Sequence, residues 1–88
     1  MLFAITYQID PANRAIAQDR FATTGAPPPD GVEMVARYHL AEGLAGITIA
    51  KADSAVAIAR WTQEWSDCLE FDVSPVLTDE EMGEVIGG

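Results

Sequence analysis

The stretch VEMVARYHLAEGLAGITIAK, residues 32–51, decides the fold of this chain. Apolar and polar side chains alternate along residues 32–40 and again along residues 44–51. This spacing places successive side chains on opposite faces of a β-strand. Residues 41–43 separate the two runs, and Gly43 supplies the backbone freedom that a tight turn needs. The stretch therefore predicts a β-hairpin at the centre of the chain.

A helix and an outer strand are predicted on each side of this hairpin. Residues 2–9 alternate as a first strand, and Asp10 and Pro11 suit the start of a helix that runs to residue 22. The proline-rich loop TTGAPPPDG, residues 23–31, ends that helix and leads into the hairpin. After the hairpin, Asp53 or Ser54 caps a second helix that runs to residue 67. Its apolar stripe consists of Ala57, Ile58, Trp61 and Trp65, which we interpret as core residues.

The chain closes with a fourth strand, residues 69–77, and a short last helix that begins with the capping-box pair Thr78 and Glu81. Two β-α-β units around a hairpin give an α+β, ferredoxin-like βαββαβ domain over residues 1–88. Its four-stranded antiparallel sheet has the order 4-1-3-2, with both main helices on one face. Pro75 lacks a backbone donor and is tolerated at an edge, where this order puts the fourth strand.

Composition narrows the classes of function. A chain of 88 residues has room for one core, and 49% of its residues are hydrophobic. The formal charge of −9 argues against nucleic acid and anionic membrane as partners, since both need a positive patch. No apolar run approaches the roughly 18 residues that cross a bilayer. Met1 leads directly into the first strand without a secretion signal, so a cytoplasmic protein is expected.

Few motifs of known chemistry occur in the sequence. One histidine, His39, and one cysteine, Cys68, are too few ligands for a structural zinc site. Cys68 is interpreted as a small buried apolar residue, and the acidic residues between positions 64 and 84 as a solvated surface. There is no glycine-rich phosphate loop, nucleophile elbow or dinucleotide motif. We expect neither a metal nor a cofactor.

The strand pattern assigns side chains to the two faces of the sheet. Phe3, Ile5 and Tyr7 are predicted on the face that the helices cover, and Ile47 and Ile49 of the third strand are expected to join them. The opposite, helix-free face is predicted to carry Leu2, Ala4, Thr6, Gln8, Val35, Arg37, His39, Gly46, Thr48, Ala50, Glu70, Asp72, Ser74 and Val76.

This helix-free face is too apolar for bulk water and too polar for a dry core. A second copy of the chain would cover it, so an isologous homodimer is expected. The small residues Ala4, Gly46, Thr48 and Ala50 would fill the gap between two sheets poorly and leave a cavity.

Three segments carry a resemblance to a known family: MLFAITYQIDPANR (1–14), GAPPPDGVEMVARYH (25–39) and WTQEWSDCLEFDVSPVL (61–77). The chain is similar to a small bacterial family of unknown function within the dimeric α+β barrel superfamily. The resemblance implies a ferredoxin-like homodimer with a ligand cavity. Members of that superfamily include cofactor-independent monooxygenases, haem-degrading enzymes, chlorite dismutases and proteins without demonstrated activity. No catalytic residue carries over from the family itself.

The sequence supports three hypotheses for function. The preferred one is a homodimer that binds a small anionic or phenolic molecule at the helix-free face, with Arg37 neutralising its charge and His39 exchanging a proton. A cofactor-independent enzyme with His39 and Arg37 as catalytic groups is the second, and a purely structural or regulatory dimer, with Arg37 paired to an acidic residue, is the third. The predicted ligand-binding residues are Thr6, Gln8, Arg37, His39, Thr48 and Asp72.

Overall fold

The computed structural model describes residues 1–87 as a four-stranded antiparallel sheet with three helices. A 3₁₀ turn, Pro11–Asn13, precedes the first helix. The sheet order is β2-β3-β1-β4, which is the predicted order 4-1-3-2 counted from the other edge, so the ferredoxin-like fold is confirmed. The elements are β1 (Leu2–Gln8), α1 (Arg14–Thr24), β2 (Val32–His39), β3 (Ala45–Ala52), α2 (Ala55–Gln63), β4 (Glu70–Val76) and α3 (Asp79–Gly87).

The predicted capping side chains make their hydrogen bonds, Asp10 at the 3₁₀ turn that precedes α1 and the others at the starts of α2 and α3. Oδ1 of Asp10 accepts a hydrogen bond from the amide of Ala12 at 2.9 Å, and Oγ of Ser54 accepts one from the amide of Val56 at 3.0 Å. At the start of α3, the Thr78 amide donates to Oε1 of Glu81 and the Glu81 amide donates to Oγ1 of Thr78. Each bond satisfies an amide that has no partner inside its helix.

The helix α2 ends four residues earlier than the sequence predicts. Beyond Gln63 the chain continues in tight turns, in which the Trp65 amide donates to the Thr62 carbonyl and the Cys68 amide donates to the Trp65 carbonyl. These turns direct Trp65 and Cys68 inward, and both side chains are buried. Arg20 of α1 holds this segment through two hydrogen bonds to Asp67, at 2.9 and 2.7 Å, and those bonds lower the pKa of the Asp67 carboxyl.

The main hydrophobic core lies between α2 and the sheet, and we call it the packed core. Ile58 stands at its centre with only 1% of its surface exposed. Its buried members are Phe3, Ile5, Val32, Ala50, Ala52, Ile58 and Trp61.

A β-bulge in β2 reverses the predicted direction of the side chains that follow it. Met34 pairs with Ala50 and Ala36 pairs with Ile49, so Val35 between them is left out of the pairing. The extra residue shifts the alternation by one position. Arg37 and His39 therefore lie on the helix-covered face, and their predicted placement on the helix-free face is wrong.

The predicted face assignment of β3 is also wrong. Both faces of β3 carry apolar side chains, and the prediction assigns the larger ones, Ile47 and Ile49, to the core. The register instead pairs Phe3 with Ala50 and Ile5 with Thr48. Ala50 and Thr48 are 0% and 6% exposed under the helices, whereas Ile47 is 37% exposed. The small side chains lie beneath the helices, where they leave room for larger neighbours.

The sheet surface without helices, which we call the open face, carries apolar and polar side chains side by side. Tyr38 of β2 is 71% exposed on it. The open face presents Leu2, Ala4, Thr6, Gln8, Ala36, Tyr38, Ile47, Ile49, Asp72 and Val76.

The last helix, α3, buries none of its described side chains, and its apolar residues Met82, Val85 and Ile86 are exposed. Within residues 1–87, every helix is too short or too polar to cross a membrane.

Candidate functional site

A cavity of about 270 Å³ lies on the helix-covered face, beside the packed core. The sheet forms its floor, and α1, α2 and the turns after α2 form its walls. Five aromatic rings dominate the lining: Tyr7, Phe21, Trp61, Trp65 and Phe71. The polar side chains that reach it are Gln18, Arg37, His39, Thr48 and Thr62. A mostly apolar cavity with a few polar groups is typical of sites for small organic molecules.

Tyr7 and His39 form a hydrogen-bonded pair in the lining of this cavity. The Tyr7 hydroxyl lies 2.5 Å from Nδ1 of His39. The two residues sit on β1 and β2, on either side of β3, and Gly46 is the register partner of both. A Cβ on Gly46 would overlap the ring carbons of Tyr7. The glycine therefore lets the tyrosine ring cross β3 and reach the histidine.

Arg37 fastens the proline-rich loop to the rim of the cavity. Its Nη1 donates to the Ala26 carbonyl at 2.8 Å, and its Nη2 donates to the Gly25 carbonyl at 3.0 Å. The guanidinium carbon also lies 5.0 Å from the ring centre of Phe21, in cation–π geometry. Arg37 thus bonds to carbonyl oxygens and not to a carboxylate, in contrast to the structural hypothesis from the sequence. It is a fixed positive charge beside the cavity.

Burial and charge keep both members of the pair neutral near pH 7. Loss of solvent contact lowers the pKa of His39, and the charge of Arg37 lowers it further. Desolvation also raises the pKa of Tyr7, an effect that Arg37 partly offsets and that Glu42 reinforces. A neutral imidazole and a protonated phenol can exchange a proton with each other or with a third group.

The six predicted ligand-binding residues divide between the two faces of the sheet. Arg37, His39 and Thr48 line the cavity. Asp72 is the register partner of Thr6 on the open face, and Thr6 and Gln8 border a second depression that His39 also lines. The cavity that contains Arg37 and His39 therefore lies under the helices, and not at the helix-free face where the sequence predicts it.

Sequence reasoning missed Tyr7 as a site residue because the alternation of β1 assigned it to the core. A tyrosine on a core face needs a partner for its hydroxyl, and this requirement could have pointed to the histidine. Trp61 and Trp65 are buried as predicted, but they also line the cavity.

The described residues, 1–87, contain no group of three or more His, Cys, Asp or Glu side chains arranged to hold a metal ion. The groups that the cavity does offer are a guanidinium, an imidazole, a phenol, two hydroxyls and an amide. These can bind an anion and move one proton.

Comparison with known proteins supports the fold and the family. A solved structure of Rv0793 from Mycobacterium tuberculosis superposes with a TM-score of 0.53 at 14% sequence identity, covering 89% of this chain and 96% of that one. At this identity the likeness shows a shared fold. No curated protein sequence matches the chain. The resemblance to a family of unknown function is confirmed, because a family model matches residues 1–88 in full: the chain belongs to the family described as domain of unknown function DUF3303.

Proposed function

We propose that this protein binds a small, largely apolar organic molecule in the cavity between the sheet and the helices, with an anionic or phenolic group of that molecule at Arg37 and His39. The observation that carries the proposal is the composition of the wall. Aromatic rings surround the space, and Tyr7, Arg37 and His39 stand together at one side of it. Such a wall fits a flat ring system with one polar end.

Electrostatics favour an acidic group on the bound molecule. The formal charge of −9 disfavours anions over most of the molecule, but the guanidinium of Arg37, one of 5 basic side chains, lines the cavity and supplies a local positive charge. Its two bonds to the loop carbonyls fix its position and leave other N–H donors of the fork for a ligand. A site whose cation is already held in place loses little side-chain entropy when it binds an anion.

Tryptophan fluorescence tests the binding. Trp61 and Trp65 are the two tryptophans of the chain, and both line the cavity. We expect 7-hydroxycoumarin, a flat bicyclic phenol, to quench their emission with saturation. Ala17→Leu would fill the cavity from α1 and should abolish the quenching, whereas Ala15→Leu, on the exposed side of the same helix, should leave it unchanged. Equal binding by the Ala17→Leu variant would place the ligand elsewhere.

The proposal includes a homodimer formed through the open face. Tyr38 and Ile47 are exposed there beside Ile49, Ala4 and Leu2, a group of apolar side chains that a second copy would cover. Sedimentation at micromolar concentration should give twice the 9.5 kDa chain mass. Ile47→Glu should return the protein to one chain mass, and Val56→Glu, at an exposed position of α2, should not. A monomeric native protein would overturn this part of the proposal.

Turnover without a cofactor is the second candidate function, and the Tyr7–His39 hydrogen bond is the observation that favours it. A paired phenol and imidazole beside a cavity can act as a general acid or base. Mass spectrometry of a phenolic substrate library after incubation with the protein would reveal a product. Binding without any product supports a binding module, as first proposed.

A further inference from the structure

The Tyr7–His39 pair gives the cavity a more specific chemistry than binding alone. We propose that the two residues act as one acid–base pair that takes the proton of an acidic hydroxyl on the bound molecule, so that the site holds phenols and enols as their anions. This inference rests on the proposed ligand cavity and goes further by assigning the protonation state of the ligand and a role for Tyr7.

The positions of the two side chains suit the passage of a proton from the ligand to Tyr7 and from Tyr7 to His39, which we call the relay. Both line the cavity, Tyr7 is half-buried and His39 is exposed, so the phenol is the inner member and the imidazole the outer one. Nδ1 of His39 is committed to the Tyr7 hydroxyl. When Tyr7 donates to Nδ1, its oxygen keeps lone pairs that can accept a hydrogen bond from a ligand hydroxyl.

The proton transfer balances without any further reactant. The ligand O–H bond breaks and its proton forms a new O–H bond on Tyr7. At the same time the original Tyr7 O–H bond breaks and its proton forms an N–H bond at Nδ1 of His39. The products are a ligand oxyanion, a neutral tyrosine and an imidazolium, and no electrons are gained or lost.

The charged groups around the pair come from three elements. Arg37 lies on β2, Glu42 lies in the turn between β2 and β3, and Arg14 of α1 approaches the same turn at Gly43. Arg37 beside the cavity would stabilise the new oxyanion, and the oxyanion would in turn stabilise the imidazolium. Desolvation and the charge of Arg37 lower the pKa of His39, so the imidazole is unprotonated in the free protein, and it takes up the proton only with the help of the negative charge that forms on the ligand.

The absorption spectrum of 7-hydroxycoumarin tests this inference, because its phenol and phenolate forms absorb at different wavelengths. We expect the bound probe to ionise at a pH about one unit lower than the free probe, which corresponds to about tenfold tighter binding of the phenolate than of the phenol. The matched probe 7-methoxycoumarin has no acidic proton, and its binding should show no such pH dependence.

Variants separate the relay from the charge of Arg37. Tyr7→Phe keeps the ring over Gly46 and removes the hydroxyl, and His39→Gln removes the base. Either change should remove most of the ionisation shift and leave only the part that Arg37 provides, while 7-methoxycoumarin still binds. Tyr38→Phe is the matched control, since Tyr38 is exposed on the open face and does not line this cavity, and it should leave the shift intact.

The two proposals fail in different ways. Binding of both probes without an ionisation shift, or a shift that keeps its full size in Tyr7→Phe and His39→Gln, would overturn the relay and leave the binding cavity standing. Failure of both coumarins to bind the native protein would overturn the cavity proposal and the relay with it.

Discussion

The helix-covered face of the sheet is filled at one end and hollow at the other. The filled end lies near Phe3, at the start of β1, and the hollow end lies near Tyr7, towards the end of the same strand. At the filled end, Ala50 and Ala52 let α2 approach the sheet, and Ile58 completes a dry core. At the hollow end, the face carries Arg37, His39 and Thr48. Closing the helices over a guanidinium and an imidazole would strip them of water at a high cost in free energy. The difference shows how one sheet face can provide stability at one end and keep polar chemistry at the other.

Truncation at the filled end should have the largest effect on stability. Ile58→Ala removes a side chain that is 1% exposed, and we expect the free energy of unfolding to fall by about 4 kcal/mol. Urea denaturation measures this loss. Ile16→Ala, at an exposed site on α1, is the control and should stay within about 0.5 kcal/mol of the native protein. Similar losses for the two variants would contradict a packed core beneath α2.

Trp65→Ala tests how much the hollow end contributes to stability, because Trp65 packs there with Ile9, Ala17 and Cys68. The ring is buried, yet it lines the cavity, so fewer neighbours lose contacts than in a closed core. We expect a loss of about 3 kcal/mol in the free energy of unfolding, together with loss of coumarin binding. Stability within ~0.5 kcal/mol of native would show instead that the ring contributes to ligand contact and hardly to packing.

Gly46→Ala should disturb the hollow end specifically. The added methyl would overlap a ring carbon of Tyr7 and lie 2.6 Å from the Tyr38 carbonyl oxygen. We expect a cost of about 1 to 3 kcal/mol in unfolding free energy and loss of the coumarin ionisation shift. Gly83→Ala is the matched control, because no atom lies within 4 Å of the position that its methyl would take, and it should be neutral or slightly stabilising. A stable Gly46→Ala variant with the shift intact would mean that Tyr7 does not need this passage across β3.

The smallest effect concerns pH. The folded protein resists protonation of His39, while the unfolded chain takes up that proton near pH 6.5, so the unfolded state binds more protons. The contribution of His39 to the free energy of unfolding is therefore fully present above about pH 6.5 and is lost as the pH falls below it. Denaturation at pH 7.5 and at pH 5.5 should show that the free energy of unfolding decreases less for His39→Gln than for the native protein. An equal decrease in both would mean that another group causes the pH dependence.

Local patterns were sufficient to predict much of the fold. Asp10, Ser54 and the Thr78–Glu81 pair cap helices where the sequence places them. The strand order follows from the alternation of strands and helices, and Pro75 correctly indicated an edge. The caps depend on neighbours within a few residues along the chain, and the strand order follows from the sequence of elements, so both can be predicted without knowing the side-chain packing.

The face of the sheet on which a side chain lies depends on how its strand pairs with neighbouring strands. For β2 and β3 the face predicted from the sequence was wrong. The bulge at Val35 has no glycine or proline to mark it, and it moves every later side chain of β2 to the other face. Arg37 and His39 could still be recognised as functional candidates, because their chemistry does not depend on the face. Thr6, Gln8 and Asp72 were grouped with them only through the assumed face, and none of the three lines the cavity beneath the helices, although Thr6 and Gln8 share the second depression with His39.

The bulge at Val35 also bears on how copies of the molecule can meet. β2 is an edge strand, and an uninterrupted edge offers a row of free amides and carbonyls that another chain can extend into a continuous ladder. A bulge breaks the repeat of that row and increases its twist, and Pro75 removes a donor from the other edge, β4. Fibril-like growth from either edge is thereby disfavoured. The open face then remains as the surface for the proposed homodimer, in which two copies would cover each other and association would end.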